Sequence, residues 1–174
     1  SGLVEYSRLT GDVQDNLRQI IDDLSRQYDY LVLDTGAGIS DLVLYTASLA
    51  KEVLVVATPE PASIADAYAT IKVLALMQQR TSLKLVFNQA RDAAEGLKLA
   101  QQLQQVVDRF VNTQLAKSLK LDHLGHIPSD PAVRAAARKR QLLFVDSPEA
   151  PASKAMAALA QALDLQSEKR AAYA

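Results

Sequence analysis

Apolar positions along the chain fall into two rhythms. Val13, Leu17, Ile20, Ile21 and Leu24 recur at helical spacing, so residues 12–27 read as an amphipathic helix. Tyr30–Asp34, "YLVLD", is an apolar run without alternation, and "EVLVVAT" and "LKLVFN" further on read as buried strands. Continuous apolarity marks strands of a parallel sheet covered by helices on both faces. Helical stretches fall between these runs: "SDLVLYTASLA", then "IADAYATIKVLALMQQ" with Ser63 and Asp66 at its start, then about Asp92 to Lys117. "LDHLGHIP" supplies a fourth short strand. Asp130-Pro131 is an N-cap and first-turn proline for the helix "AVRAAARKRQ", and "SKAMAALAQAL" is the last helix.

Strand and helix alternate throughout. The pattern predicts an α/β fold, a mostly parallel sheet with helices on both faces and right-handed crossovers. The length of 174 residues fits a single α/β domain over 1–174, with 165–174 a frayed tail. Ligands of such sheets bind beyond the carboxyl ends of the strands. The strands end in Asp34-Thr35-Gly36, Thr58-Pro59-Glu60, Asn88-Gln89 and Ile127-Pro128-Ser129-Asp130. These four ends are expected on one edge.

Composition narrows the chemistry. With no cysteine there are no disulfides or thiolate metal sites. A net charge of −1 gives no strong steering toward nucleic acid or anionic lipid. No apolar run approaches the roughly 20 residues of a membrane span.

Asp34 is the first candidate. A carboxylate at a strand end can hold Mg2+ directly or through water, and the following glycines let backbone N–H groups approach an anion. A turn cap fits the same stretch equally well. Asn88 offers an amide that can pair with an adenine edge, although an Asx-turn at a strand end is the commoner use. Pro128 and its loop could wall a base. Asp130 reads as an N-cap rather than a ligand. His123 and His126 lie on opposite faces of a strand or at a bend, with no third metal ligand beside them. Arg134, Arg138, Lys139 and Arg140 read as a solvated helix end, where cations are favoured. A nucleic-acid or lipid patch is the lesser reading. Met156, Leu159 and Leu163 form a packing stripe. The terminal helix lacks the basic and aromatic composition of a membrane-surface helix.

Taken in order, "YDYLVLDTGAGIS", "EVLVVATPEPASIADAYATIKVL", "LVFNQARDAAEG" and "GHIPSDPAVRAAARKRQ" resemble the MinD/ParA group of deviant P-loop ATPases. Within that group they resemble the branch of flagellar-number regulators of FlhG (FleN) type. The resemblance runs from about Gly2 to Phe144. It implies that Asp34 is the Walker-B-type carboxylate at the Mg2+ water shell. Thr35, Gly36, Ala37 and Gly38 would form the switch II loop that senses the γ-phosphate. Asn88 would contact the adenine, and Pro128 would belong to the loop packing on the base. The implied cofactors are ATP and Mg2+, in the intact parent, and the implied state is a homodimer around ATP. Implied partners are the flagellar GTPase FlhF or a flagellar transcription activator, with DNA disfavoured. The resemblance implies a cytoplasmic location. Peripheral attachment at the inner face of the cell membrane is usual in the family, and the terminal helix leaves it open here.

The family's lysine-bearing phosphate loop does not occur among these residues, so by the resemblance the chain is expected to correspond to the C-terminal portion of a MinD-like ATPase domain, without the first strands of the sheet. Alone it is expected to be inactive and to expose an apolar sheet edge. Two other readings are a non-catalytic protein-interaction module and a ParA-like DNA-partitioning ATPase using Arg134 to Arg140. Steep salt dependence of DNA binding would mark the latter.

Overall fold

The computed structural model describes residues 10–171, and the side chains of 10–164. The chain forms two compact units, Ser1–Val53 and Leu54–Ala174.

The first unit contains helix α1 (Gly11–Ser25) and helix α2 (Asp41–Leu49). Helix α2 starts where predicted. Ser40 is its N-cap, accepting the Val43 N–H at 3.4 Å, and so satisfies one of the donors orphaned at a helix start. The Tyr45 hydroxyl donates to the Gln14 carbonyl at 2.9 Å and ties α2 to α1. The predicted strand Tyr30–Asp34 does not form. Residues 30–36 carry no strand, and Tyr30, Leu31 and Val32 are exposed. An extended segment becomes a strand only when its backbone groups join a ladder, and this one joins none among the described residues.

The second unit is a three-stranded parallel sheet in the order β1 (Leu54–Ala57), β2 (Ser82–Ala90), β3 (Lys120–Pro128). Helix α3 (Pro61–Gln78) connects the first pair and α4 (Ala93–Phe110) the second. After β3 come α5 (Pro131–Lys139), the one-turn α6 (Leu143–Asp146) and α7 (Pro151–Ala171). This is the predicted α/β architecture, with three paired strands where four were expected. The core is Leu83, Leu85, Val86 and Phe87 of β2, covered by Ile71 and Leu74 of α3 and Leu103 and Val107 of α4. β2 is central and buried along most of its length, which fits its largely apolar sequence, and its buried Lys84 lies 3.8 Å from the Asp122 carboxylate. β1 ends the sheet, and its Leu54 and Val56 are exposed, 41% and 56%.

Three boundaries move for physical reasons. Helix α3 begins at Pro61, before Ser63, because proline's fixed φ suits the first helical position. Ser63 Oγ instead accepts the Thr58 N–H at 2.9 Å and holds the end of β1. Helix α4 stops at Phe110, short of Lys117. There the Asn112 side chain takes over: its Oδ1 accepts the Leu119 N–H at 2.7 Å and its Nδ2 donates to the Leu119 carbonyl at 3.1 Å. Helix α7 continues through Ala171, and the rest of the predicted tail lies outside the described residues.

Candidate functional site

The ends of β1, β2 and β3 open onto one edge of the second unit, as parallel topology requires. An open cleft of about 630 Å3 lies there, lined by Thr58, Pro59, Glu60, Pro61, Gln89, Ala90, Arg91, Glu95 and Ser129. Thr58 Oγ1 is buried without a hydrogen-bond partner. A buried hydroxyl without a partner costs free energy.

Gln89 reaches the cleft through a bulge. Asn88 pairs with Ile127 and Ala90 with Pro128, so Gln89 is the extra residue. Its φ of +60° is left-handed, which only glycine adopts without cost. Bulges re-aim side chains at sheet rims. The Asn88 Oδ1 accepts the Gln89 N–H at 2.9 Å and steadies this turn. That is the local use of the Asn88 oxygen, and it leaves the amide hydrogens for a ligand. The register brings Asn88 beside Ile127 and Pro128 beside Ala90 on adjacent strands.

Arg91 and Glu95 border the cleft through a cap at the start of α4. Asp92 Oδ1 accepts the Glu95 N–H at 2.8 Å, and Glu95 Oε2 accepts the Arg91 N–H at 2.7 Å. The Glu95 N–H, followed by the Arg91 guanidinium, holds the Asp92 carboxyl below its usual range, while the Asp92 hydrogen bond raises Arg91. Arg91 and Glu95 were not singled out in the sequence. The spacing of Asp92 and Glu95 was the available signal, since Asp-x-x-Glu is a capping pattern.

His123 and His126 resolve as a bend. A second register shift falls between the pairs Leu85–His123 and Val86–Gly125. Both histidines then pack against the first turn of α4, where a Cβ on Gly96 would lie 3.1 Å from His126 Cβ and 3.6 Å from His123 Nε2. His123 Nε2 is buried without a partner, and burial pushes the imidazole pKa down. Among the described residues no group of three or more His, Cys, Asp or Glu could hold a metal ion.

In the first unit, Asp34 is exposed at the start of an open loop. A Cβ at Gly36 would meet nothing within 4 Å, and Gly38 has φ +97°. A lone exposed carboxylate fits Mg2+ through the ion's water shell rather than as a closed cage. Thr35, Gly36, Ala37 and Gly38 are exposed and lie outside any helix or strand.

A family model described as ParA, NUBPL iron-transfer P-loop NTPase, matches residues 11–164, and the chain belongs to this family of P-loop NTPases. Antiactivator FleN of Pseudomonas aeruginosa is 39% identical over 148 residues, covering 85% of this chain and 51% of that protein. Flagellum site-determining protein YlxH of Helicobacter pylori is 31% identical over 129 residues, 73% of this chain and 42% of that one. The MinD cell division protein of Aquifex aeolicus superposes with a TM-score of 0.64 at 26% identity, covering 86% of this chain and 60% of that structure. The chain spans about half the length of FleN. The fold is therefore MinD-like α/β, as the motifs implied. No helix among the described residues is long and apolar enough to cross a membrane.

Proposed function

We propose that this chain is part of a MinD-like, ATP-dependent dimerising switch ATPase that regulates flagellar number or placement. The observation that carries the reading is its 39% identity to a protein named Antiactivator FleN within a P-loop NTPase family. Asn88, through its free amide hydrogens, and Pro128, on the neighbouring strand, serve the adenine base. Asp34 serves the Mg2+ water shell, and Thr35, Gly36, Ala37 and Gly38 sense the γ-phosphate. Bound Mg2+ would neutralise charge on the transferring phosphoryl group. Asp34 would hold a water of that ion's shell, and residues 35–38 would offer backbone N–H groups to the anion. The full-length protein forms a homodimer around ATP, and its partner is the flagellar GTPase FlhF or a flagellar transcription activator.

The chain of 174 residues by itself does not hydrolyse ATP. Phosphoryl transfer depends on positioning and charge neutralisation by a lysine-bearing phosphate loop, and no such loop occurs in this sequence. The test uses the full-length protein. Asp34→Ala is expected to lower kcat by about a hundredfold or more, the scale of losing one electrostatic element of a transition state. Unchanged hydrolysis would remove Asp34 from the role. A wild-type protein that neither binds Mg-ATP nor dimerises with it would overturn the ATPase reading.

A further inference from the structure

We infer that Asp130 is a positioning residue that couples the base loop after β3 to helix α7, so that the state of the nucleotide site reaches the C-terminal helix. The inference rests on reading Asn88 and Pro128 as the base-binding residues. Asp130 follows Pro128 and Ser129 directly. Its Oδ1 accepts the Ala132 N–H at 2.9 Å, the ordinary cap of its own helix, α5. Its Oδ2 accepts the Ala152 N–H at 3.0 Å, 22 residues away in the first turn of α7. An N-cap normally serves only the helix it begins. Here one carboxylate holds two helix starts, one with each oxygen, and its charge suits the positive end of both dipoles.

Both ends of this link are anchored. On the loop side, the Ser129 N–H donates to the Ala90 carbonyl at 3.2 Å, just past the bulge at Gln89. Ser129 therefore follows the end of β2 as well as that of β3. On the helix side, Ala152 and Ser153 are fully buried, and Ser153 Oγ donates to the Ser147 carbonyl at 2.7 Å. Two turns on, Leu159 rests on β3, where a Cβ on Gly125 would lie 3.2 Å from Leu159 Cδ2. A ligand that moves residues 128–130 must carry the first turn of α7 with it or break the Oδ2 bond. Both outcomes change α7.

The Oδ2 bond can be removed without removing the cap of α5. Asp130→Asn keeps one oxygen for Ala132 and turns an NH2 toward the Ala152 N–H. Asp130→Ser keeps a good N-cap and is too short to reach α7. The experiment is residue-level hydrogen exchange on the full-length protein, with and without saturating Mg-ATP, beside calorimetric Mg-ATP affinities. In the wild type, Mg-ATP is expected to change exchange at Ala152 and Ser153. In Asp130→Asn and Asp130→Ser that response disappears while the Ala132 amide stays protected. Because coupling is reciprocal, the same variants shift Mg-ATP affinity by about tenfold. Wild-type binding with no response at Ala152 and Ser153 overturns the coupling and leaves the nucleotide reading intact. So does an unaltered response in both Asp130 variants. A wild type that does not bind Mg-ATP overturns the nucleotide reading and the coupling with it.

Discussion

Two segments of similar composition meet opposite fates. Leu83–Phe87 of β2 is buried between neighbours on both sides, with Leu85 and Phe87 at 0% exposure. Tyr30–Asp34 has the same run of large apolar residues, yet Val32 is 86% exposed and no strand forms. The wider units repeat the contrast. No described residue of the first is buried, whereas the second holds the whole core. Apolarity states that a segment favours burial. Burial itself depends on a ladder partner and a covering helix, and of these two segments β2 has both while Tyr30–Asp34 joins no ladder among the described residues.

The contrast should be largest in stability. Phe87→Ala removes a side chain without solvent contact, and the lost transfer energy plus the cavity are expected to cost about 3–5 kcal/mol. Val32→Ala should change stability by less than about 0.5 kcal/mol, the range of surface substitutions. Urea unfolding of the 174-residue chain gives both values. A Val32 effect comparable to that of Phe87 would show that the first unit buries this segment in solution.

Legibility in the sequence follows the same division. What depends on neighbours along the chain was readable: the helices at Ser40 and Asp130, three of the four expected parallel strands, and the ends of those three at one edge. What depends on pairing was not. The bulges at Gln89 and around Leu124 arise from the register between strands, which no local pattern encodes. The Asp130 cap was legible, but its second bond, to Ala152, was not, because that contact is tertiary. Tyr30–Asp34 was misread for the converse reason, since a strand-like sequence was taken to imply a partner. Of the candidate site, Asn88 and Pro128 fall on adjacent strands, while Arg91 and Glu95 enter the cleft through a helix cap.

A pair of glycines sharpens the comparison at smaller amplitude. Gly96 lies in the first turn of α4, where a Cβ would press on His126 Cβ at 3.1 Å. Alanine is the better helix former, but the crowding should outweigh it, and Gly96→Ala is expected to destabilise by about 1–3 kcal/mol. Gly36 has open space around it. Gly36→Ala should be neutral or stabilising by up to about 1 kcal/mol, through a less disordered unfolded chain. Thermal melts of the two variants decide it. A stabilised Gly96→Ala would mean that β3 and α4 yield where they meet at the histidines.

The smallest effect is a pH dependence confined to the second unit. Burial lowers the pKa of His123, His126 lowers it further, and Asp122 and a hydrogen bond with the Gly125 backbone oppose the shift. The folded state therefore binds the proton less readily than the unfolded chain, whose imidazole titrates near 6.5. The unfolded state gains protons first as pH falls, so stability rises with pH across this window. The stabilisation from a neutral His123 is complete above about pH 6.5 and is lost progressively below it. Asp92 and Asp146 are shifted down, Asp92 chiefly by the Glu95 N–H and Asp146 chiefly by Lys139. Their contribution is present above the ordinary carboxylate pKa, near 4, and is lost only as pH falls through their lower folded values. The two windows are separate. His123→Leu, which removes the titrating ring and its unpartnered Nε2, should flatten the urea midpoint between about pH 7 and 5.5 and leave the acid limb below about pH 4 in place. Equal slopes for wild type and variant between pH 7 and 5.5 would show that the ring already meets water beneath α4, and that Nε2 is not left without a partner in solution.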